Sequence, residues 1–295
     1  MILRESPPSI LSAVCLYESE FDLTVMNTTK LTTAVAERYV ILGAKLYELG
    51  RIDQAVFYYQ KAVEMNPNDA ETYYHLGVAL NDQGKTEAAI ICYCKALKID
   101  PSHAQAYNDM GAAFDHQGQI EEAIACYLKA IEIKPDDASI CNNLGLALKI
   151  QGKTEEAIKF FRLALQFNPQ YIEAHISLGN ALKDSGQMDE AIGCFRKAIE
   201  IRPTAFDALC CLGDALLAQD KKTEAFACYQ HAVEINPKHA RAFNQMGLAL
   251  EEQGKIELAI ICYRKALDID AGIPEVHCNL GDALKTTGKT EAVNR

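Results

Sequence analysis

The chain has 295 residues, 49% hydrophobic and 23% charged, which is a globular composition rather than a disordered one. Its 29 Lys and Arg stand against 40 Asp and Glu, a net charge of −11. That balance argues against generic nucleic-acid binding, which needs concentrated bases, and no apolar run reaches the roughly 20 residues of a membrane-spanning helix.

In chain order, residues 1–35 come first and lack the pattern that governs the rest. MILRESPPSILSAVCLYESE holds a short apolar segment, Ile10 to Tyr17, with Glu5, Pro7 and Pro8 before it and Arg4 as the only basic side chain. SAVC at 12–15 is similar to a lipoprotein cleavage site, but Val14 is bulky where a small residue is expected. A cytoplasmic protein with reduced thiols is the expectation. The segment 1–35 reads as a cap, a tether or a disordered arm.

From residue 36 a fixed period takes over. Pro67, Pro101, Pro135, Pro169, Pro203 and Pro237 are spaced by 34 residues, and the next step falls on Ala271 in DIDAG. A period of this size means stacked supersecondary units. With proline as position 32, the full units are 36–69, 70–103, 104–137, 138–171, 172–205, 206–239 and 240–273, and a partial eighth covers 274–295. Each predicts two helices. In the first, positions 4, 7, 8 and 11 form an apolar stripe, as in Tyr73, Leu76, Gly77 and Leu80. Glycine at position 15 closes it in every unit but the sixth, where Asp220 stands. Acids open the second helix, where they suit the positive end of its dipole. Its stripe runs through positions 20, 24, 27 and 28, as in Ala123, Tyr127, Ala130 and Ile131. Small residues at 8, 20 and 27 predict close helix approach.

The recurring G-x6-G-x4-A-x3-Y/F-x2-A-x4-P pattern resembles the tetratricopeptide repeat family across 36–273. The resemblance implies an all-α fold, a right-handed α-solenoid of stacked antiparallel helix pairs whose first helices line a concave groove at positions 2, 5, 6, 9, 12 and 13. It implies a non-enzymatic protein-binding scaffold, stabilised by contacts between neighbouring units. Position 4, often Trp in the family, is Tyr, Phe, Leu, Cys or His here; Cys141 and His175 fill it poorly, so units four and five are expected to be looser. Position 2 is mostly acidic or polar, with Arg241 its one base, unlike the basic clamp of chaperone-tail receptors.

On the groove positions the resemblance places Asn108, Asp109, Asn142, Asn143, Asn180, Asp214, Asn244, Gln245, Asn279 and Asp282. Side-chain amides both donate and accept, so a track of them can grip an extended peptide backbone. The expected partner is a protein or peptide segment, neutral-polar or basic, with no nucleic acid and no membrane. The repeats are also similar to those of protein O-linked N-acetylglucosamine transferases, whose asparagine ladder at position 6 survives here at Asn143 and Asn279. The alternative is therefore the targeting portion of a longer glycosyltransferase-like protein. Unit eight stops short of most of its second helix, which raises a further possibility, self-association through an open end.

No chemistry stands out. GKT follows no phosphate-loop glycine pattern, and neither HExxH nor Cys-x2-Cys occurs. No catalytic, cofactor-binding or metal-ligating residue is expected. Five cysteines, Cys92, Cys126, Cys194, Cys228 and Cys262, share position 23 with Tyr58 and Phe160, a packing site. Cys94 is expected nearer the surface. Cys210 and Cys211, at groove positions 5 and 6, are the expected reactive thiols.

Overall fold

The computed structural model describes residues 28–288. The segments 1–27 and 289–295 lie outside the described residues, and with them the apolar stretch Ile10–Tyr17 and the truncated second helix of unit eight. Two compact units divide the chain, Met1–Pro101 and Ser102–Arg295.

In the first unit α1 (Thr28–Glu48) pairs with α2 (Ile52–Met65), and α3 (Ala70–Asp82) with α4 (Thr86–Ile99). The second unit continues with α5 (Ala104–His116), α6 (Ile120–Ile133), α7 (Ala138–Ile150), α8 (Thr154–Phe167), α9 (Ile172–Asp184) and α10 (Met188–Ile201). It closes with α11 (Phe206–Ala218), α12 (Lys222–Ile235), α13 (Ala240–Glu251), α14 (Ile256–Ile269) and α15 (Pro274–Thr286). Among the described residues the fold is all-α. Each odd helix from α1 to α13 packs on the next, and within each compact unit successive first helices also touch. Helix α1 starts at Thr28, ahead of the period's first residue at 36, so residues 28–35 are part of a helix.

The position-8 glycines have a direct cause. A Cβ at Gly77 would lie 2.6 Å from the Tyr93 ring, and one at Gly179 would lie 2.5 Å from Phe195. In each of the first seven units this glycine faces the position-24 aromatic of the same unit. The two helices of a pair approach until the ring lies against bare backbone. The alanines at position 20 are all 0% exposed, which keeps the same contact close. Position 15 takes the left-handed conformation in every unit, with φ from 71° to 85° at glycine and 61° at Asp220; the lone non-glycine costs about 1–2 kcal/mol relative to glycine.

Caps differ between the two helices of a unit. Asp69 and Asp137 accept from the backbone N–H groups of their first turns. At the same position the Nδ1 atoms of His103 and His239 accept from Ala106 N–H and Ala242 N–H, each at 3.1 Å. The second helices show no side-chain cap and rely on first-turn acids such as Glu155 and Glu156. Those acids also join neighbouring units: Gln83 donates to Asp53 at 2.7 Å and Gln219 to Asp189 at 2.7 Å. At position 4, Cys141 is fully buried against Ala164 and Ala174. The His175 Nε2–H donates to the Pro169 carbonyl at 3.0 Å, and His277 does the same to Ala271 at 2.9 Å.

Candidate functional site

Positions 2, 5, 6, 9 and 12 recur on one face of each first helix, because residues three and four apart are neighbours on a helix surface. In the second compact unit, three such helices, α9, α11 and α13, bring this face around a cavity of about 330 Å³. Asn180, Asp214 and Gln245, three of the sequence-predicted residues, line it together. Lys183, Asp207 and Arg241 add both signs of charge. Among the described residues none of these last three has an ion-pair partner within 4.0 Å, unlike the Lys149–Asp184 pair at 2.9 Å.

The cavity floor is fixed from behind. The Tyr229 hydroxyl, on the second helix α12, donates to Asp214 Oδ1 at 2.6 Å, and Gln245 Nε2 donates to the same oxygen at 3.2 Å. Burial and the bond to Asp214 hold the Tyr229 phenol well above its ordinary range, so it stays a donor. The Gln245 Oε1 atom is buried and has no hydrogen-bond donor.

Cys210 and Cys211 also line the cavity, but neither is activated. Burial, then Asp214 and other neighbours, push the Cys210 thiol up to about 12. Burial raises Cys211 as well, despite Lys183 and a side-chain hydrogen bond with Asn180 that pull the other way. Against the expectation of reactive thiols, burial disfavours the thiolate at both residues, and nearby acids add to this at Cys210. At position 23, Cys92, Cys126 and Cys262 are buried, Cys194 and Cys228 are half-buried, and Cys94 is exposed.

The amide track divides. Asn108, Asn142 and Asn244, all at position 5, are at most 5% exposed. They face the next unit rather than open solvent. Asn143 Nδ2 donates to Asn108 Oδ1 and Asn279 Nδ2 to Asn244 Oδ1, each at 3.0 Å and each across 35 residues. Asn244 Nδ2 reaches Glu275 at 3.3 Å, and Asn108 Nδ2 reaches Asp109 at 2.9 Å. Asn142 has Ser177 where the ladder needs a longer donor, and its buried Oδ1 has none. Asp282 is exposed and lies 3.2 Å from Lys285, apart from the cavity. The 35-residue recurrence of asparagine was the signal for the ladder. Nothing in the period pointed to Tyr229 or to His239, which also lines the cavity.

Among the described residues no cluster of three or more His, Cys, Asp or Glu is arranged to hold a metal ion, and no helix is long and apolar enough to cross a membrane.

The family model of the cilia and flagella-associated protein 70 C-terminal domain matches residues 11–246, and a TPR repeat model matches 251–288. Among solved structures, the APC/C hetero-tetramer Cut9-Hcn1 aligns with a TM-score of 0.67 at 18% identity, covering 87% of this chain and 52% of that one. The present chain therefore spans about half of that relative. MamA aligns with a TM-score of 0.51 at 30% identity over 55% of this chain and 94% of its own. YrrB, a TPR protein with an unusual peptide-binding site, aligns with a TM-score of 0.52 at 26% identity over 66% of this chain and 97% of its own. No curated protein matches the chain.

Proposed function

The chain belongs to the family of the cilia and flagella-associated protein 70 C-terminal domain, a tetratricopeptide-repeat family, and from that premise we propose that it is a non-catalytic cytoplasmic scaffold holding an extended segment of a partner protein on its first-helix face. One observation carries the reading. Groove positions of three consecutive units line a common cavity whose Lys183, Asp207 and Arg241 have no ion pairs among the described residues. Charges left without partners at the mouth of a cavity are available for complementary groups. The Oδ1 atoms of Asn143 and Asn279, whose nitrogens are already engaged, add acceptors for backbone N–H groups of a bound strand. YrrB, with its peptide-binding site, offers a related precedent. This binding role is proposed whether or not a longer glycosyltransferase-like protein carries the repeats.

The test is capture of partners by the chain and by a Lys183→Glu/Asn143→Ala variant, followed by direct binding of each purified partner. A partner that binds the native chain and loses affinity for the variant supports the groove. Indistinguishable binding by both proteins would sink it.

A further inference from the structure

We propose that the cavity between α9, α11 and α13 receives one arginine side chain of the partner segment, set in a neutral or acidic sequence; this rests on the groove reading above and gives it a specificity. Two residues of the lining carry acceptors, the Asp214 carboxylate and the buried Gln245 Oε1. Asp214 is anchored by the Tyr229 hydroxyl and holds the Gln245 amide by its nitrogen, which leaves the buried Gln245 Oε1 without a donor. What Gln245 Oε1 lacks, among the described residues, is a hydrogen-bond donor. A guanidinium supplies five N–H groups in a planar fork and reaches a carboxylate and a neighbouring oxygen together. An ammonium is a compact point charge and matches two such acceptors less well.

The walls suit the rest of that side chain. Cys210, Cys211 and Ala242 line the cavity with small groups of low polarity, and Phe206 adds a ring, surfaces along which an aliphatic stem can lie. Charge at the mouth narrows the choice further. Asp207 and Arg241 are exposed and Lys183 half-buried, and both bases line the same cavity with no ion pair among the described residues. They repel a second cation and accept an acidic neighbour. A polybasic segment is thereby disfavoured although the protein is acidic as a whole.

Nuclear magnetic resonance of the full chain tests this with blocked tripeptides, acetyl-Glu-Arg-Gly-amide and its citrulline, lysine and tri-arginine counterparts. The arginine peptide should shift the side-chain amides of Gln245 and Asn180 saturably, with the citrulline and lysine peptides about tenfold weaker, as the loss of a bidentate charged pair implies. The tri-arginine peptide should be weaker through repulsion by Lys183 and Arg241, and the Asn180 amide is the reporter when Gln245 is replaced. Asp214→Asn should weaken arginine binding, and so should Gln245→Met, which removes the orphan acceptor while leaving the carboxylate for the case in which Asp214→Asn unfolds. Equal affinity for arginine and citrulline would overturn the proposal. So would tighter binding of the tri-arginine peptide, preference for acetyl-Gly-Glu-Gly-amide, or no shift up to millimolar peptide. If these fail while captured partners still depend on Lys183 and Asn143, the arginine pocket falls and the groove reading stands.

Discussion

The first helices of units one and two and those of units five to seven share a frame but carry different linings. In the first compact unit the groove positions carry the rings of Tyr74 and His75, which lie against the buried frame aromatics of the second helices: His75 stacks with Tyr59 at 5.8 Å between centroids, and Tyr74 lies 6.2 Å from Tyr93. Ile41, at groove position 6, is 56% exposed. Around α9, α11 and α13 the lining is amides, thiols and unpaired charges. Yet Gly77 faces Tyr93 as closely as Gly179 faces Phe195. Packing within a helix pair dictates the frame, so it repeats. The groove side chains meet few such demands, so they can differ from unit to unit and serve different partner chemistry.

Substitutions in the frame should therefore cost alike in both regions. Gly77→Ala and Gly179→Ala each force a Cβ into a ring and should destabilise by about 1–3 kcal/mol, read by urea unfolding and by hydrogen exchange in the affected pair. A neutral result at one site and not the other would break the claim of a common frame. Asp220→Gly relieves the one left-handed non-glycine and should stabilise by about 1 kcal/mol, after allowance for its exposed ion pair with Lys222. A lowered melting temperature would mean that the ion pair matters more than the backbone. Ser177→Asn should extend the position-5 to position-6 ladder to the orphan Oδ1 of Asn142 and add roughly 1 kcal/mol; slowed exchange in α7 and α9 is the expected sign. Gly281→Ala sits at the same repeat position as Gly77 but has nothing within 4 Å among the described residues. It should gain about 0.5–1 kcal/mol from helix propensity, the reverse of its equivalents, and a loss would show that a ring does cover it. Smallest of all, removing the exposed Arg162–Glu190 pair at 2.9 Å should change stability by less than about 0.5 kcal/mol.

Much of the frame was legible because one side chain repeated at one position reports one physical demand. Proline, the two glycines and two alanines per unit marked helix ends and close contacts, and the structure places them so. Position 8 reads as small from sequence; that it is small because of the ring sixteen residues on required the packed pair. The site was legible in part. Its positions came from the family resemblance, and Asn180, Asp214 and Gln245 do line one cavity. The position-5 asparagines are instead buried at the seam between first helices; Asn108 and Asn244 are bonded to the next unit, and Asn142, facing Ser177, is left with an unpaired oxygen. Tyr229 carries the same frame role as Phe195, and its extra hydroxyl reaches Asp214 only once two helices have packed. His103 and His239 look scattered in the chain, and become caps when the turn brings Nδ1 under a free N–H.

Sequence by itself determined the helix pairs, their ends and the face each turns to its neighbour, since those depend on local propensity and on a repeated volume. Tertiary structure alone decided which groove side chains are spent holding units together and which keep unpaired charge or an empty acceptor. That division depends on distances between residues about 30 to 35 apart in the chain, where reach of the individual side chain, asparagine against serine, settles whether a bond forms.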